Sequence, residues 1–568
     1  MNSSGGLVYP AVIVLTAATV VFLSVAQGAY HLDPFHWGLM TSNAVDVARG
    51  RVPYKEIFIG YGFLTAYLEY LFFAAGKNVL SIIFGVSTLY SVGLVGVYFL
   101  TFHLVKKRRV ALYAFLTSFF LHPLAIYPWP NYVAFPFITF GCLCIVKGRG
   151  NWWIGLLGGA LLGLAVLARE NLFLALAPAI VALIPIRLWS SSDDVSIIKL
   201  LSPLAGFVLP LGLFAFYLWQ NELTHYWWQT AVELPKLYAT FFFAHDLVAA
   251  ILALLVYVFL LTPFGLVLIG ASAFLIEPLF RHSKEPVDGD YRFIALTTGL
   301  LLSSAVHLPD IFRLATSVSV GAGLVFILFD RVRLAGLLFG FLTLALAGSV
   351  VTGGYGNWFL PSRAEIEATT TSDRIALFVG QRWSQDVFDY YDWYVDAMRV
   401  LQTRACGLHY LRNETRDAFL EALSPFVQYQ LAPFGRSMFE APIDEWSRRL
   451  RPDYDYRQRL KVRDILIITR QKPSAEDQAA PDGNRRFDPR DPRELAPLES
   501  TPPDGNRRFD PRNPRELAPL ESTPPDGYRI FARRVTPRSW FVPNGFVTVI
   551  FAPAECGEML PQREGASP

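Results

Sequence analysis

Charge is what this chain has least of. Asp, Glu, Lys and Arg supply 17% of its 568 residues and hydrophobic residues 53%, whereas soluble globular chains carry about 25% charged residues. That deficit excludes an ordinary water-soluble protein. Charge of one sign is also missing, since 50 basic residues meet 47 acidic ones for a net +3. Nothing points to a nucleic-acid partner, and no stretch resembles a nucleic-acid-binding module. Cysteine occurs four times and never as Cys-x-x-Cys, and His-Glu-x-x-His is absent, which argues against a structural zinc site.

Long apolar runs fill the space that charge leaves. At about 20 residues per crossing, they predict eleven spans near 7–27, 79–105, 110–126, 131–147, 152–168, 171–188, 199–219, 247–279, 293–308, 313–330 and 334–352. The first six residues hold no basic cluster, so 7–27 reads as a retained helix rather than a cleaved signal. Residues 66–76 are apolar but too short to cross and are expected at the interface or half-entering the bilayer.

Charge in alternate loops sets an expected orientation. Lys106, Lys107, Arg108, Arg109, Lys147, Arg149, Arg187, Lys199, Arg281, Lys284, Arg292, Arg331 and Arg333 crowd the short loops of one set. Arg49, Arg51, Lys55, Lys77, Arg169, Lys236 and Arg313 thin out over the longer loops of the other. By the positive-inside rule the first set is cytoplasmic, with the N-terminus inside and everything after residue 352 outside.

That orientation puts the polar residues of interest on the outer side. His31 to Gly62 follows the first span and holds Asp33, His36, Asp46, Glu56 and Tyr61, and ionisable groups at a membrane boundary are usually functional. Ala-Arg-Glu-Asn-Leu at 168–172, the aromatic segment Asn221 to Asp246 with His225, and His307 to Arg313 join it. Trp129, Tyr132, Trp227 and Trp228 mark an interface. Polar groups converging on one face add an outward cavity.

The tail differs in kind. From residue 353 charge and proline rise, so the chain is expected to divide into a membrane domain over 1–352 and a soluble extracytoplasmic α/β domain over 353–568. Strands are predicted at 464–470, 528–535 and 547–552, and helices at 386–404 and 415–423. Between the first two strands, Pro481 to Pro502 recurs at Pro503 to Pro524 with Asp491 replaced by Asn513. Each 22-residue copy holds five prolines and few apolar residues, which suits a duplicated disordered loop rather than a solenoid. Cys406 and Cys556 are the tail's only cysteines, and an oxidising compartment would let them bridge.

Transfer from a lipid phosphate needs a tail in the bilayer, a cation on the phosphate, and a carboxylate that deprotonates a hydroxyl or holds a metal. The segments Leu32-Asp33-Pro34-Phe35-His36-Trp37-Gly38, Gly50-Arg51-Val52-Pro53-Tyr54 and Ile59-Gly60-Tyr61-Gly62-Phe63 resemble the GT-C class of membrane glycosyltransferases. That class includes protein O-mannosyltransferases and the lipid A aminoarabinose transferase. The resemblance covers residues 1–350 in topology and is specific over 30–70. It implies a polytopic α-helical fold with a trailing soluble domain. The short loops and the Arg-rich tail suit a bacterial plasma membrane. The resemblance also implies a polyprenyl-phosphate-linked sugar donor and a lipid, glycan or protein acceptor. A divalent cation, Mg or Mn, is compatible with such a site, and no nucleotide cofactor is expected. Many members carry Asp-Glu after the first helix, whereas Pro34 follows Asp33 here, leaving Glu56 as the second acid if there is one.

In this reading Asp33 is the catalytic candidate, with His36, Glu56, Tyr61, Arg169, Glu170, His225, His307, Asp310 and Arg313 on substrate. Each has a plainer role. Asp33 before Pro34 also suits a helix N-cap, and His36 an interfacial ring. Arg169 and Glu170 could pair or snorkel, although a guanidinium also grips phosphate with two bonds. Asp310 and Arg313 are one helical turn apart and suit a structural pair, and His225 a solvated loop. Two rival functions remain at this stage: a transporter or flippase of a lipid-linked sugar, and a non-catalytic scaffold subunit. The first expects matching inverted halves, which the sequence does not display.

Overall fold

A computed structural model describes residues 5–32, 36–60, 62–121, 126, 129–190, 196–236, 265, 270, 272–275, 289–302, 311–331, 333–351, 363–402, 409–413, 419–423, 427–431, 465–471, 528–535 and 546–553. The chain divides into two units, one of residues 1–29, 47–231 and 242–362 and one of residues 30–46, 232–241 and 363–568.

The first unit is helical. Its order begins α1 (Gly5–Tyr30), α2 (His36–Ala48, shared with the second unit), α3 (Phe63–Gly76), α4 (Val79–Val105), α5 (Arg108–Phe120), α6 (Pro130–Lys147) and α7 (Trp152–Ala168). A 3-10 turn at Glu170–Leu172 leads into α8 (Phe173–Ser190), α9 (Ile197–Gln220) and α10 (Thr224–Trp228), which runs into a π turn at Gln229–Glu233. Then come α11 (Gly289–Leu301), α12 (Ile311–Ser319), α13 (Ala322–Arg331) and α14 (Ala335–Val351). Among the described residues, five helices are long and apolar enough to cross a membrane: Val8–Tyr30, Val79–Val105, Pro130–Lys147, Glu170–Trp189 and Ile197–Gln220. The chain is an integral membrane protein.

Local chemistry sets the helix ends. Asn78 caps α4 by accepting from the Ser81 N–H at 2.9 Å, as a side-chain oxygen at an N-cap does. Lys106 closes the same helix in a left-handed conformation, its N–H reaching the Phe102 carbonyl. Pro130 opens α6, where a missing N–H costs nothing. Helices α7 and α9 approach closely because both carry glycine at the crossing. A Cβ on Gly159 would stand 1.9 Å from the Pro203 carbonyl oxygen, and one on Gly206 1.9 Å from that of Leu156. In lipid, where no hydrophobic force drives helices together, such backbone proximity supplies the packing.

Three expected spans change. Span 313–330 is two helices, α12 and α13, broken at Val320 and Gly321, where the Gly321 N–H bonds Val318 and its carbonyl accepts from Leu324. Helix α5 ends at Phe120 rather than 126; Pro123 lies three residues on, and the residue before a proline resists helical geometry. Helix α11 begins at Gly289, ahead of the expected 293. The interfacial segment is α3, which at 14 residues and about 1.5 Å each is too short to cross. Most of 247–279 lies outside the described residues.

One acid of this helical unit is buried with no partner among the described residues. Glu69 of α3 has no exposed surface, and neither of its carboxyl oxygens is bonded. Burial alone holds it above the usual carboxylate range.

The second unit carries a five-stranded mixed sheet in the order β2-β1-β3-β5-β4, from β1 (His409–Asn413), β2 (Val427–Leu431), β3 (Ile465–Gln471), β4 (Tyr528–Val535) and β5 (Phe546–Pro553). β1 pairs in parallel with β2 and β3, and β5 pairs antiparallel with β3 and β4, placing Ile468 opposite Val549. Helices α15 (Arg363–Glu367), α16 (Gln385–Gln402) and α17 (Phe419–Ala422) accompany it. The Tyr390 hydroxyl and Thr548 Oγ1, 2.8 Å apart and buried, tie α16 to β5. Phe378, Trp383, Phe388, Tyr391 and Phe419 form an aromatic core. That core also holds the segment after α1: Trp383 Nε1 donates to the His31 carbonyl at 3.3 Å, and Arg382 reaches the Tyr30 hydroxyl at 3.0 Å. The tandem repeat, Cys406 and Cys556 lie outside the described residues.

Candidate active site

The site in the first unit is built by three stretches far apart in sequence: the loop after α2, the turn from α7 to α8, and α10. The loop leaves α2 at Gly50, whose φ of +77° lets its N–H turn back to the Val47 carbonyl at 3.0 Å, a helix end that favours glycine. It then closes on itself. The Glu56 and Ile57 N–H groups both reach the Val52 carbonyl, and the Glu56 carboxylate accepts from the Val52 N–H at 2.7 Å. This tight turn forces Tyr54 to a φ of +64°, uncommon for a bulky side chain and a form of strain that gathers at functional sites.

Strain at Tyr54 goes with an inward aim. The ring is fully buried against Phe63 and Phe214, in a cluster with Ile57, Ile59, Ala66, Leu167 and Leu218. Its hydroxyl donates to Glu170 Oε1. Trp227 Nε1 donates to the same oxygen at 3.3 Å, so one carboxylate oxygen gathers a phenol and an indole. Burial first, and then the Glu170 carboxylate, holds the Tyr54 phenol well above the usual tyrosine range, which keeps it a neutral donor.

Gly62 brings the loop against the turn. Its φ of +143° disfavours any side chain, and an added Cβ would lie 2.2 Å from the Ala168 carbonyl oxygen. Three residues on, Thr65 Oγ1 donates to that same carbonyl at 2.7 Å. Gly62 is thus the place where α3 seats on the end of α7. There the turn holds a different pair of groups: Arg169, only 5% exposed, donates from Nε to Asn171 Oδ1 at 2.8 Å, which orients the guanidinium.

The structure brings Glu170 into this cluster through Tyr54 and Trp227, and Arg169 precedes it in the chain, bonded to Asn171. The Glu56 carboxylate accepts the Val52 N–H of its own turn through Oε2. His225 is exposed and pairs through Nε2 with Gln229 Nε2 at 2.9 Å. It lies two residues from Trp227 on α10, about 200° around the helix, so only Trp227 faces Glu170. Asp33, Tyr61, His307 and Asp310 lie outside the described residues, as do the side chains of His36 and Arg313. Tyr54, Trp227 and Asn171 were not expected as site residues. Tyr54 stands in the Pro-Tyr turn, which was the available signal; Trp227 reads in sequence only as an interfacial ring.

Among the described residues no three His, Cys, Asp or Glu side chains gather as ligands, and Glu56 and Glu170 already accept hydrogen bonds.

The fold has a likeness among solved structures. The likeness is to ArnT: the crystal structure of ArnT from Cupriavidus metallidurans bound to undecaprenyl phosphate matches with a TM-score of 0.51 at 12% identity, over 98% of this chain and 100% of that one. The same protein in the apo state matches with a TM-score of 0.41 at 12% identity, over 97% and 98% of the two chains. No protein-family model matches the sequence, and no curated protein matches it significantly.

Proposed function

We propose that the protein is a membrane glycosyltransferase that takes a sugar from a polyprenyl-phosphate carrier and passes it to an acceptor on the outer face of a bacterial plasma membrane. The observation that carries this reading is the likeness, over the full length of both chains, to an ArnT structure that holds undecaprenyl phosphate. The motif residues of the loop after α2 support it, because they build the Tyr54–Glu170–Trp227 cluster beside a buried arginine.

In the reaction the acceptor hydroxyl forms a bond to the anomeric carbon while the bond from that carbon to the phosphate oxygen breaks. Asp33 is assigned the acceptor proton, and the lipid phosphate leaves with the electron pair. Arg169 is assigned to that phosphate, whose charge grows as the bond breaks and which a planar guanidinium binds through two hydrogen bonds. Tyr54, Trp227 and Glu170 are positioning residues: they fix the turn from which Arg169 projects. The N-terminus is assigned to the cytoplasm and the C-terminal unit to the outside, on the charge of the loops.

The test is transfer itself. Purified protein in liposomes containing a polyprenyl-phosphate sugar with a labelled sugar should release free polyprenyl phosphate and label an acceptor fraction. Movement of the labelled lipid between leaflets without product would favour a flippase, and neither outcome would favour a scaffold.

A further inference from the structure

Helices α1 and α4 run together through the apolar layer yet leave a gap. Only 11% of the apolar stretch of α1 is buried, against 61% for α4. The one hydrogen bond described between them is from Ser91 Oγ to the Ala17 carbonyl, at 3.1 Å. Between them lies a groove of about 750 Å³, with Ala18 and Val21 on one wall and Val92 and Val95 on the other. It ends at Tyr9, Tyr98, Phe102 and Arg108, the end of α1 away from the loop that carries the candidate active site.

Charge at that end is specific. The turn from α4 to α5 reads Lys106-Lys107-Arg108-Arg109, and three of the four are engaged elsewhere. Lys106 lies 3.2 Å from His103 Nδ1, Lys107 pairs with Asp330 at 2.6 Å, and Arg109 sits 5.7 Å over the Tyr113 ring. Arg108 alone of the four lines the groove, and no hydrogen bond or ion pair holds it among the described residues. An apolar slot between two spanning helices cannot hold water without leaving it unbonded, so in a bilayer a lipid chain fills it. A chain lying there would bring its phosphodiester to Arg108, at a basic turn that favours a net negative headgroup.

We infer that the α1–α4 groove is a binding site for one anionic glycerophospholipid, with an acyl chain along Ala18, Val92 and Val95 and the phosphodiester on Arg108. The site lies at the opposite membrane face from the candidate active site and is separate from the donor's. The probes are phosphatidylglycerol and phosphatidylcholine of matched chains, added to the purified full-length protein and read by native mass spectrometry.

The wild type should retain phosphatidylglycerol at least several-fold better than phosphatidylcholine. Arg108→Ala should abolish that preference while still holding some of either lipid, and Ala18→Phe, which fills the slot, should reduce retention of both. Equal retention of the two lipids by the wild type overturns the proposal and needs no variant. So does undiminished preference in Arg108→Ala, or a dimer mass that appears in place of bound lipid and would make a second copy the occupant.

Discussion

The Tyr54 hydroxyl and the Glu170 carboxylate meet although 116 residues separate them, and this contact joins the loop after α2 to the turn between α7 and α8. Trp227, a further 57 residues beyond Glu170, completes it. If the three act as one unit, their substitutions should not add. Tyr54→Phe and Glu170→Gln should each lower the melting temperature, and the double variant should fall short of the sum by roughly 0.5–3 kcal/mol. Strict additivity would show that the contact does not contribute.

Gly62 and Gly50 both hold positive φ but differ in their surroundings. Nothing lies within 4 Å of a Cβ added at Gly50, whereas at Gly62 it meets the Ala168 carbonyl. Gly50→Ala should cost about 1–2 kcal/mol, the left-handed penalty alone. Gly62→Ala adds a backbone clash and should cost roughly 2–6 kcal/mol, read as a much larger fall in melting temperature. Similar losses for the two would remove the argument that Gly62 seats α3 on α7.

The spanning helices were legible because their apolar runs are long: α4 and α7 occupy the residues the sequence predicts, 79–105 and 152–168. The break between α12 and α13 was not, because Gly321 and Gly323 lie in a run of spanning length that holds no charge and no proline from Leu314 to Phe329. Strands β3, β4 and β5 carry apolar or alternating runs and were found at 465–471, 528–535 and 546–553. His409–Asn413 holds few apolar residues, and Val427–Leu431 alternates as Val-Gln-Tyr-Gln-Leu over only five residues; both were missed, and pairing with β3 makes β1 a strand, with β2 following from β1. At the site, Arg169 and Glu170 stood out as charges beside an apolar span. Their partners did not, since nothing local in Trp227 distinguishes a ring that bonds a carboxylate from one that rests at headgroup level.

Glu69 gives an independent check on the helical core. An unbonded buried carboxyl costs about 1–3 kcal/mol, so Glu69→Leu should raise the melting temperature and leave transfer intact. A lower melting temperature, or loss of transfer in a folded Glu69→Leu protein, would give this acid a role that the structure does not describe.

Arg169→Ala should weaken apparent affinity for the lipid-phosphate donor at fixed acceptor. Arg169→Lys should restore it only in part, because an ammonium lacks the planar fork and does not reproduce the Nε bond to Asn171. Unchanged donor affinity in both variants would leave Arg169 as a structural anchor.

The central claim is transfer from a polyprenyl phosphate with Asp33 as base. Its most direct measurement is the initial rate of sugar transfer by wild type and Asp33→Asn in the same liposomes, with melting temperatures matched. The substitution removes the charge with little change of shape, and a positioned base supplies about 10²–10⁴ in rate. The account predicts product from the wild type and a loss of that size in Asp33→Asn. Near-equal rates, or no transfer from any polyprenyl-phosphate sugar by the folded wild type, would contradict it.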